Sequence, residues 1–378
     1  MKTAFRLLVL LLVPSFVWAT NPYKHKFTVT KNDPYKVLQY QLSNGLKVYL
    51  SVNKDEPRIS TNIAVNTGSK NDPSEVTGLA HYLEHMLFKG TSQMASLDWP
   101  KEKALLDQIS AKYEEYRKTT DAEKRKVIYA EIDRLSGEAA KFVATNEYDQ
   151  MIGQLGAKGT NAYTSLERTV YINDIPANEL EKWMMIESER FGELTLRLFH
   201  TELEAVYEEF NRGMDSDGRQ ANQARMKALF PKHTYGTQTT IGTSEHLKNP
   251  SMVKIHEYFN TYYVPNNMAI IMSGDLDPDK TIDLIEKYFG GMKMGPTPNQ
   301  FKDPGQPRIE KPEEIEIFGS EAEFVSISYR TGGIESEDQI MGDLASSILS
   351  NGKAGLIDKN LNQQQKVIRA YAYSSGMK

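Results

Sequence analysis

The sequence contains no cysteine. Disulfides, thiolate metal ligands, a cysteine nucleophile and a lipid-bearing N-terminal cysteine are therefore excluded, and any metal has to be held by histidine and carboxylate. A cationic excess is missing too: 45 Lys and Arg stand against 50 Asp and Glu, a formal net charge of -5. That balance gives no electrostatic footprint for nucleic acid, and no long basic run offers a membrane-surface patch. Long apolar stretches are scarce. The longest runs from Leu7 to Trp18, broken only by Pro14 and Ser15, about 12 residues where a spanning helix needs roughly 20.

What is present is an ordinary globular mix, 39% hydrophobic and 25% charged, in a chain of 378 residues. That length exceeds what one core usually supports, so two domains are expected. Lys2 and Arg6 precede the N-terminal apolar run, and Val17 and Ala19 have the small-residue spacing of a cleavage site. We read residues 1–19 as a signal peptide, followed by an N-terminal extension over 20–35. The expectation is export, to the periplasm or outside the cell, with no stable membrane insertion once the signal is removed. A membrane anchor is the alternative that the shortness of the run disfavours.

Beyond residue 35, Leu46, Val48 and Leu50 alternate after an Asn44-Gly45 turn, and Ile63 and Val65 follow; these read as antiparallel strands with one buried face. A helix is predicted over 77–89, with Gly90 as a left-handed stop. Residues 97–142 read as a helical hairpin, with Leu105, Ile109, Tyr113 and Tyr116 as one stripe. Thr120 and Glu123 form a capping box opening the second helix, whose stripe is Ile128, Ile132, Leu135, Ala139 and Phe142. Strand character over 161–172, helices over 176–190, 202–213 and 252–263, a buried strand over 268–272 and a helix over 278–289 complete an α+β pattern. Pro296, Pro298, Pro304, Pro307 and Pro312 mark a linker over 296–312. The expected organisation is an αβ domain over 36–295, with an antiparallel-rich sheet flanked by helices and the hairpin 97–142 inserted. A partial second αβ domain follows over 313–378. In it Val325, Ile327 and Tyr329 alternate like a strand, residues 338–349 are helical, and 368–373 look like another strand.

The chemistry concentrates in His81-Tyr82-Leu83-Glu84-His85. Helical residues i and i+4 share a face, so both imidazoles can address one cation, while Glu84 lies near enough to take a proton from water held there. Such a string on an exposed helix is usually a solvated face. Here it sits among Leu, Met and Phe, where two imidazoles and a carboxylate are costly without a partner. Zinc suits two neutral imidazoles and one carboxylate, with a position left for water. The helix Glu202-Leu203-Glu204-Ala205-Val206-Tyr207-Glu208-Glu209 offers the third ligand: Glu202 and Glu209 are two turns apart on one face, one able to reach the metal and the other to orient a ligand.

The string HYLEH, continued by Met86-Leu87-Phe88-Lys89-Gly90-Thr91 and answered by the Glu202/Glu209 helix, resembles the inverted-motif zinc peptidases of the pitrilysin, insulysin and mitochondrial-processing-peptidase family. The stretch from Gly156 through Asn161, Ala162 and Tyr163 to Thr164, with His233-Thr234-Tyr235-Gly236 and Pro265-Asn266-Asn267-Met268, resembles further strings of that family. The resemblance implies one zinc ion bound by His81, His85 and Glu209, with Glu84 as general base and Glu202 supporting a ligand histidine. It also implies that a peptide substrate adds as a strand along Asn161 and Ala162. Family members close a chamber from two similar halves, so a second half or subunit is the expected partner of a chain that looks truncated. The expected activity is that of a bacterial exported zinc endopeptidase acting on peptides or unfolded polypeptides. A non-catalytic peptide-binding or assembly subunit, or an inactive fragment awaiting its other half, is the alternative. Residues 237–243 and His246 are read as structural.

Overall fold

Leu46, Val48 and Leu50 are fully buried while Lys47 is exposed, so this alternation lays one face of a strand on the core. Repeated along the chain, such patterns build the elements of the computed structural model, which describes residues 23–298 and 304–377. The segment read as a signal peptide lies outside the described residues. In chain order the elements are β1 (Leu38–Gln41), β2 (Lys47–Val52), β3 (Arg58–Val65), α1 (Leu79–Met86), α2 (Trp99–Lys118), α3 (Ala122–Ala139), α4 (Glu147–Gln154), β4 (Lys158–Thr164), β5 (Thr169–Pro176) and α5 (Leu180–Gly192). They continue with α6 (Phe199–Met214), α7 (Asp217–Leu229), the single turns α8 (Thr234–Thr237) and α9 (Ser244–Leu247), α10 (Met252–Tyr262), β6 (Met268–Gly274), α11 (Pro278–Phe289) and α12 (Glu337–Leu349).

The fold is α+β, with a sheet in the order β1-β2-β6-β3-β5-β4. Among the described strands only the β2–β6 pair is parallel. β2 and β3, successive in sequence, are not neighbours in the sheet. β6 enters between them, its Met268, Ile270 and Met272 buried in the seam, and satisfies the backbone groups of both. Local periodicity shows that a strand exists but carries no information about which distant strand pairs with it.

The hairpin forms as α2 and α3, burying Leu106, Ile109 and Tyr113 against the core together with Ile128, Ile132, Leu135 and Ala139. The cap of α3 is Asp121, whose carboxylate accepts from Lys124 N–H, instead of the expected Thr120. A carboxylate at the positive end of the helix dipole gains more than a neutral hydroxyl one residue earlier. Arg197, fully buried, ties this hairpin to the loop that follows α1. It makes a bidentate pair with Glu102 of α2 at 2.6 and 2.9 Å and donates to the carbonyls of Lys89, Thr91 and Met94.

The described residues fall into two units, one drawn from Met1–Gly213 and Gln238–Lys302, the other from Met214–Thr237 and Asp303–Lys378. The second groups residues 214–237, placed by the sequence pattern in the first domain, with the C-terminal segment. Within it Arg330 reaches across sequence to the carbonyls of Leu229 and Pro307. The strands predicted at 325–329 and 368–373 do not form among the described residues of this unit. Val325, Ile327 and Tyr329 are 91%, 77% and 83% exposed. Alternation makes a strand only where an edge offers backbone partners, and no strand among the described residues of this unit provides one.

Replacing Arg197 leaves a buried Glu102 carboxylate uncompensated, and breaking such a pair costs about 3–5 kcal/mol. Arg197→Met is expected to lower stability by that order in a urea titration followed by circular dichroism. A change below about 1 kcal/mol would contradict the role given to this ion pair.

Candidate metal centre

α1 starts where the chain can turn into it. Gly78 takes φ +88, and a Cβ there would lie 2.7 Å from the carbonyl oxygen of Ile241, so only glycine fits. Asp72 accepts from the first N–H groups, Gly78 at 2.7 Å and Ala80 at 3.0 Å. These otherwise orphaned donors at a helix N-terminus thereby gain a carboxyl acceptor, even though burial pushes the Asp72 pKa up to about 8. Thr77 is held from the other side by His246, whose Nδ1 accepts its N–H at 3.0 Å. Leu79, Ala80, Leu83 and Met86 face the core, and a 3-10 turn over Leu87–Lys89 ends at Gly90, whose φ is +90 as a glycine stop requires but whose ψ of -166 is extended rather than left-handed helical.

With the helix so fixed, His81 and His85 project together, ring centroids 4.7 Å apart and planes at 76°. α6 lies alongside, anchored by Tyr82 Oη donating to the Phe199 carbonyl at 2.5 Å and by Leu203 and Val206 in the core. Its two-turn spacing brings both expected carboxylates to α1. Glu209 Oε2 lies 3.6 Å from His81 Nε2 and 3.8 Å from His85 Nε2. Ligand atoms of His81, His85 and Glu209 all fall within 4.8 Å of one another. Glu202 sits behind His85, Oε1 at 2.8 Å from Nδ1, while its Oε2 meets Lys89 Nζ at 2.5 Å.

That pairing sets the tautomer. Burial works to raise the Glu202 pKa, but hydrogen bonds from His85 and Lys89 and the Lys89 charge outweigh it and hold the group below the usual carboxylate range. An ionised carboxylate only accepts, so in the neutral imidazole the proton sits on His85 Nδ1 and Nε2 is the nitrogen left on the Glu209 side. Burial opposes the charged form of His85, yet the bond to Glu202 and the charges of Glu202, Glu84 and Glu209 raise its pKa overall. A dication competing for the same lone pair fits this electron-rich pocket: two imidazole nitrogens and one carboxylate are a donor set suited to zinc.

Glu84 is buried on the same helix, and Thr164 Oγ1 of β4 donates to its Oε2 at 2.5 Å. Burial raises its pKa above the usual range, with Glu209 adding to the rise and Thr164 and His85 opposing it. Asn161 and Ala162 lie on β4, the end strand of the sheet, which packs against α1. Asn161 is exposed and Ala162 half-buried. Lys89 and Thr164 are contacts to which sequence reasoning assigned no role, and His246, read as structural, proves to hold the residue before the start of α1. Lys89 carried a usable signal, four positions after His85 on the same side of the helix; the other two reach α1 from distant segments and carried none.

Comparison with known proteins adds the family. A model described as Insulinase (Peptidase family M16) matches residues 47–124, and one described as Peptidase M16 inactive domain matches 252–378. Among curated relatives, an uncharacterized zinc protease of Bacillus subtilis, YmxG, is 23% identical over 343 residues, covering 89% of this chain and 69% of its own length. The crystal structure of a protease from Helicobacter pylori aligns with TM-score 0.65 and 20% identity over 90% of this chain and 72% of that one. The periplasmic protease PqqL from Escherichia coli aligns with TM-score 0.55 and 20% identity over 74% of this chain and 26% of that one. The chain thus spans between about a quarter and about seven-tenths of these proteins' lengths.

Loss of a carboxylate that orients a ligand histidine typically weakens metal affinity about 10–100-fold. Glu202→Ala is expected to do so in a competition titration of zinc against a chromogenic chelator. Wild-type affinity in that variant would rule out the orienting role.

Proposed function

We propose that this chain, which belongs to the insulinase family of peptidases (family M16), is a zinc-dependent peptidase that hydrolyses extended peptides with Glu84 as general base. The observation that carries this reading is the meeting of His81 Nε2, His85 Nε2 and Glu209 Oε2 beside the buried Glu84 carboxylate. His81, His85 and Glu209 would hold one zinc ion, which when bound supplies Lewis acidity toward a carbonyl and acidifies water. Glu84 accepts the proton of the attacking water and passes it to the leaving amine, a task suited to a carboxyl whose pKa burial raises above the usual carboxylate range. Glu202 and Lys89 keep His85 in one tautomer and one orientation.

β4 supplies the surface for the substrate. Among the described residues its outer edge has no neighbouring strand in the sheet, so an extended peptide can add there by main-chain hydrogen bonds, with Asn161 and Ala162 on the receiving strand. Such binding tolerates varied sequences. We assign the catalytic domain to 36–295 with its hairpin insertion at 97–142, the linker to 296–312 and a partial second domain to 313–378. We further assign the protein to an exported compartment, on the N-terminal charge and hydropathy pattern and on the periplasmic location in the name of the PqqL structure. Among the described residues no helix is long and apolar enough to cross a membrane. The greater length of the relatives supports a second similar half or subunit as partner.

A non-catalytic peptide-binding role is the second reading, favoured by the match of residues 252–378 to a domain described as inactive. Zinc analysis and cleavage of a mixed peptide library separate the two. Wild type is expected to hold about one zinc and to cleave. Glu84→Gln is expected to keep zinc and lose activity by about 10²–10⁴-fold, and His81→Ala to lose both. Equal cleavage by wild type and Glu84→Gln sinks the role of Glu84, while zinc without any cleavage favours the binding subunit.

A further inference from the structure

Glu84 is held at both ends. Its Cα belongs to α1, and its Oε2 accepts from Thr164 Oγ1 at 2.5 Å. Thr164 is the last residue of β4 and pairs with Thr169, the first of β5, across the hairpin. The two hydroxyl oxygens lie 3.4 Å apart, and Thr169, fully buried, donates to the Thr67 carbonyl at 3.2 Å. The Thr169 proton is thus committed elsewhere, and the single proton of Thr164 goes to the carboxylate, which can only accept. A β-branched side chain on a paired strand has little rotational freedom, so the donor is rigid where Glu84, with three side-chain torsions, is not.

Thr164 also lies two residues beyond Ala162, on the same face of β4 by strand periodicity. One strand therefore carries both the clamp on the proposed base and the edge proposed to receive substrate. We propose that Thr164 is a positioning residue, whose hydroxyl holds Oε2 of Glu84, leaves Oε1 as the proton-accepting oxygen and ties the base to the strand on which peptide adds. This rests on the peptidase reading above. A misplacement of about 1 Å at a reacting group can cost 10²-fold in rate, which sets the scale of the effect.

The test uses the full chain loaded with zinc and a peptide cleaved by wild type, with kcat and KM measured for wild type, Glu84→Gln, Thr164→Val and Thr164→Ser. Valine keeps the shape and removes the hydroxyl; serine keeps the hydroxyl. Thr164→Val is expected to lower kcat by about 10–100-fold with KM changed by no more than about twofold. Thr164→Ser is expected to restore most of that loss, and zinc content and melting temperature are expected to be unchanged in both. A kcat within twofold of wild type in Thr164→Val, a loss that serine does not restore, or loss of zinc from Thr164→Val overturns the inference. If wild-type cleavage does not depend on Glu84, the peptidase reading fails and this inference with it; Glu84-dependent cleavage untouched by Thr164→Val refutes the inference alone.

Discussion

One carboxylate shared between an imidazole and an ammonium holds the centre together. Glu202 meets His85 Nδ1 with one oxygen and Lys89 Nζ with the other, joining the end of α1 to the first turn of α6. Each group alone is expensive in a partly dehydrated seam; together they satisfy one another. The bond fixes which nitrogen of His85 carries the proton and hence which one is left to bind. It also fixes the rotation of α6, because Glu209 lies two turns beyond Glu202. With 100° per residue, a slip of one position would carry Glu209 away from His81 and His85.

Around that seam the structure restrains α1 from every side. Asp72 and His246 hold its first turn, Tyr82 reaches the start of α6, and Arg197 binds the carbonyls of the loop that follows it. Most of these partners come from segments far away in the chain. β4 completes the arrangement by lying at the sheet edge beside α1, with Thr164 turned to Glu84 and Asn161 exposed. The helix carrying both histidines, the buried Glu84 and the end strand of the sheet are thereby assembled on regular elements, where small displacements are resisted by packing and by ladder hydrogen bonds.

Much of this was legible residue by residue. The HxxEH spacing, the two-turn separation of Glu202 and Glu209, the helical hairpin and the Asn44-Gly45 turn are local, and local geometry follows from helical and strand periods. The misreadings share a cause. Thr120 and Asp121 are both competent caps, and the contest between them was settled by a charge against a dipole. Val325, Ile327 and Tyr329 have the alternation of a strand, but a strand is a relation between two segments, and the pattern of one says nothing about whether the other is there. For the same reason the patterns of β2 and β3 say nothing of β6, which lies between them.

What the amino-acid order determined by itself is the inventory of chemistry: histidines and carboxylates at helical spacings, no thiols to compete with them, and apolar neighbours that make their exposure to water unnecessary. Only the tertiary structure decided that Glu209 arrives at both imidazoles, that Lys89 shares Glu202 with His85, and that Thr164 reaches Glu84 from the edge strand. The physical reason is range. Periodicity governs which residues of one element face the same way, whereas convergence between elements depends on burial and hydrogen bonding summed over segments more than a hundred residues apart in some cases, as from His85 to Glu202.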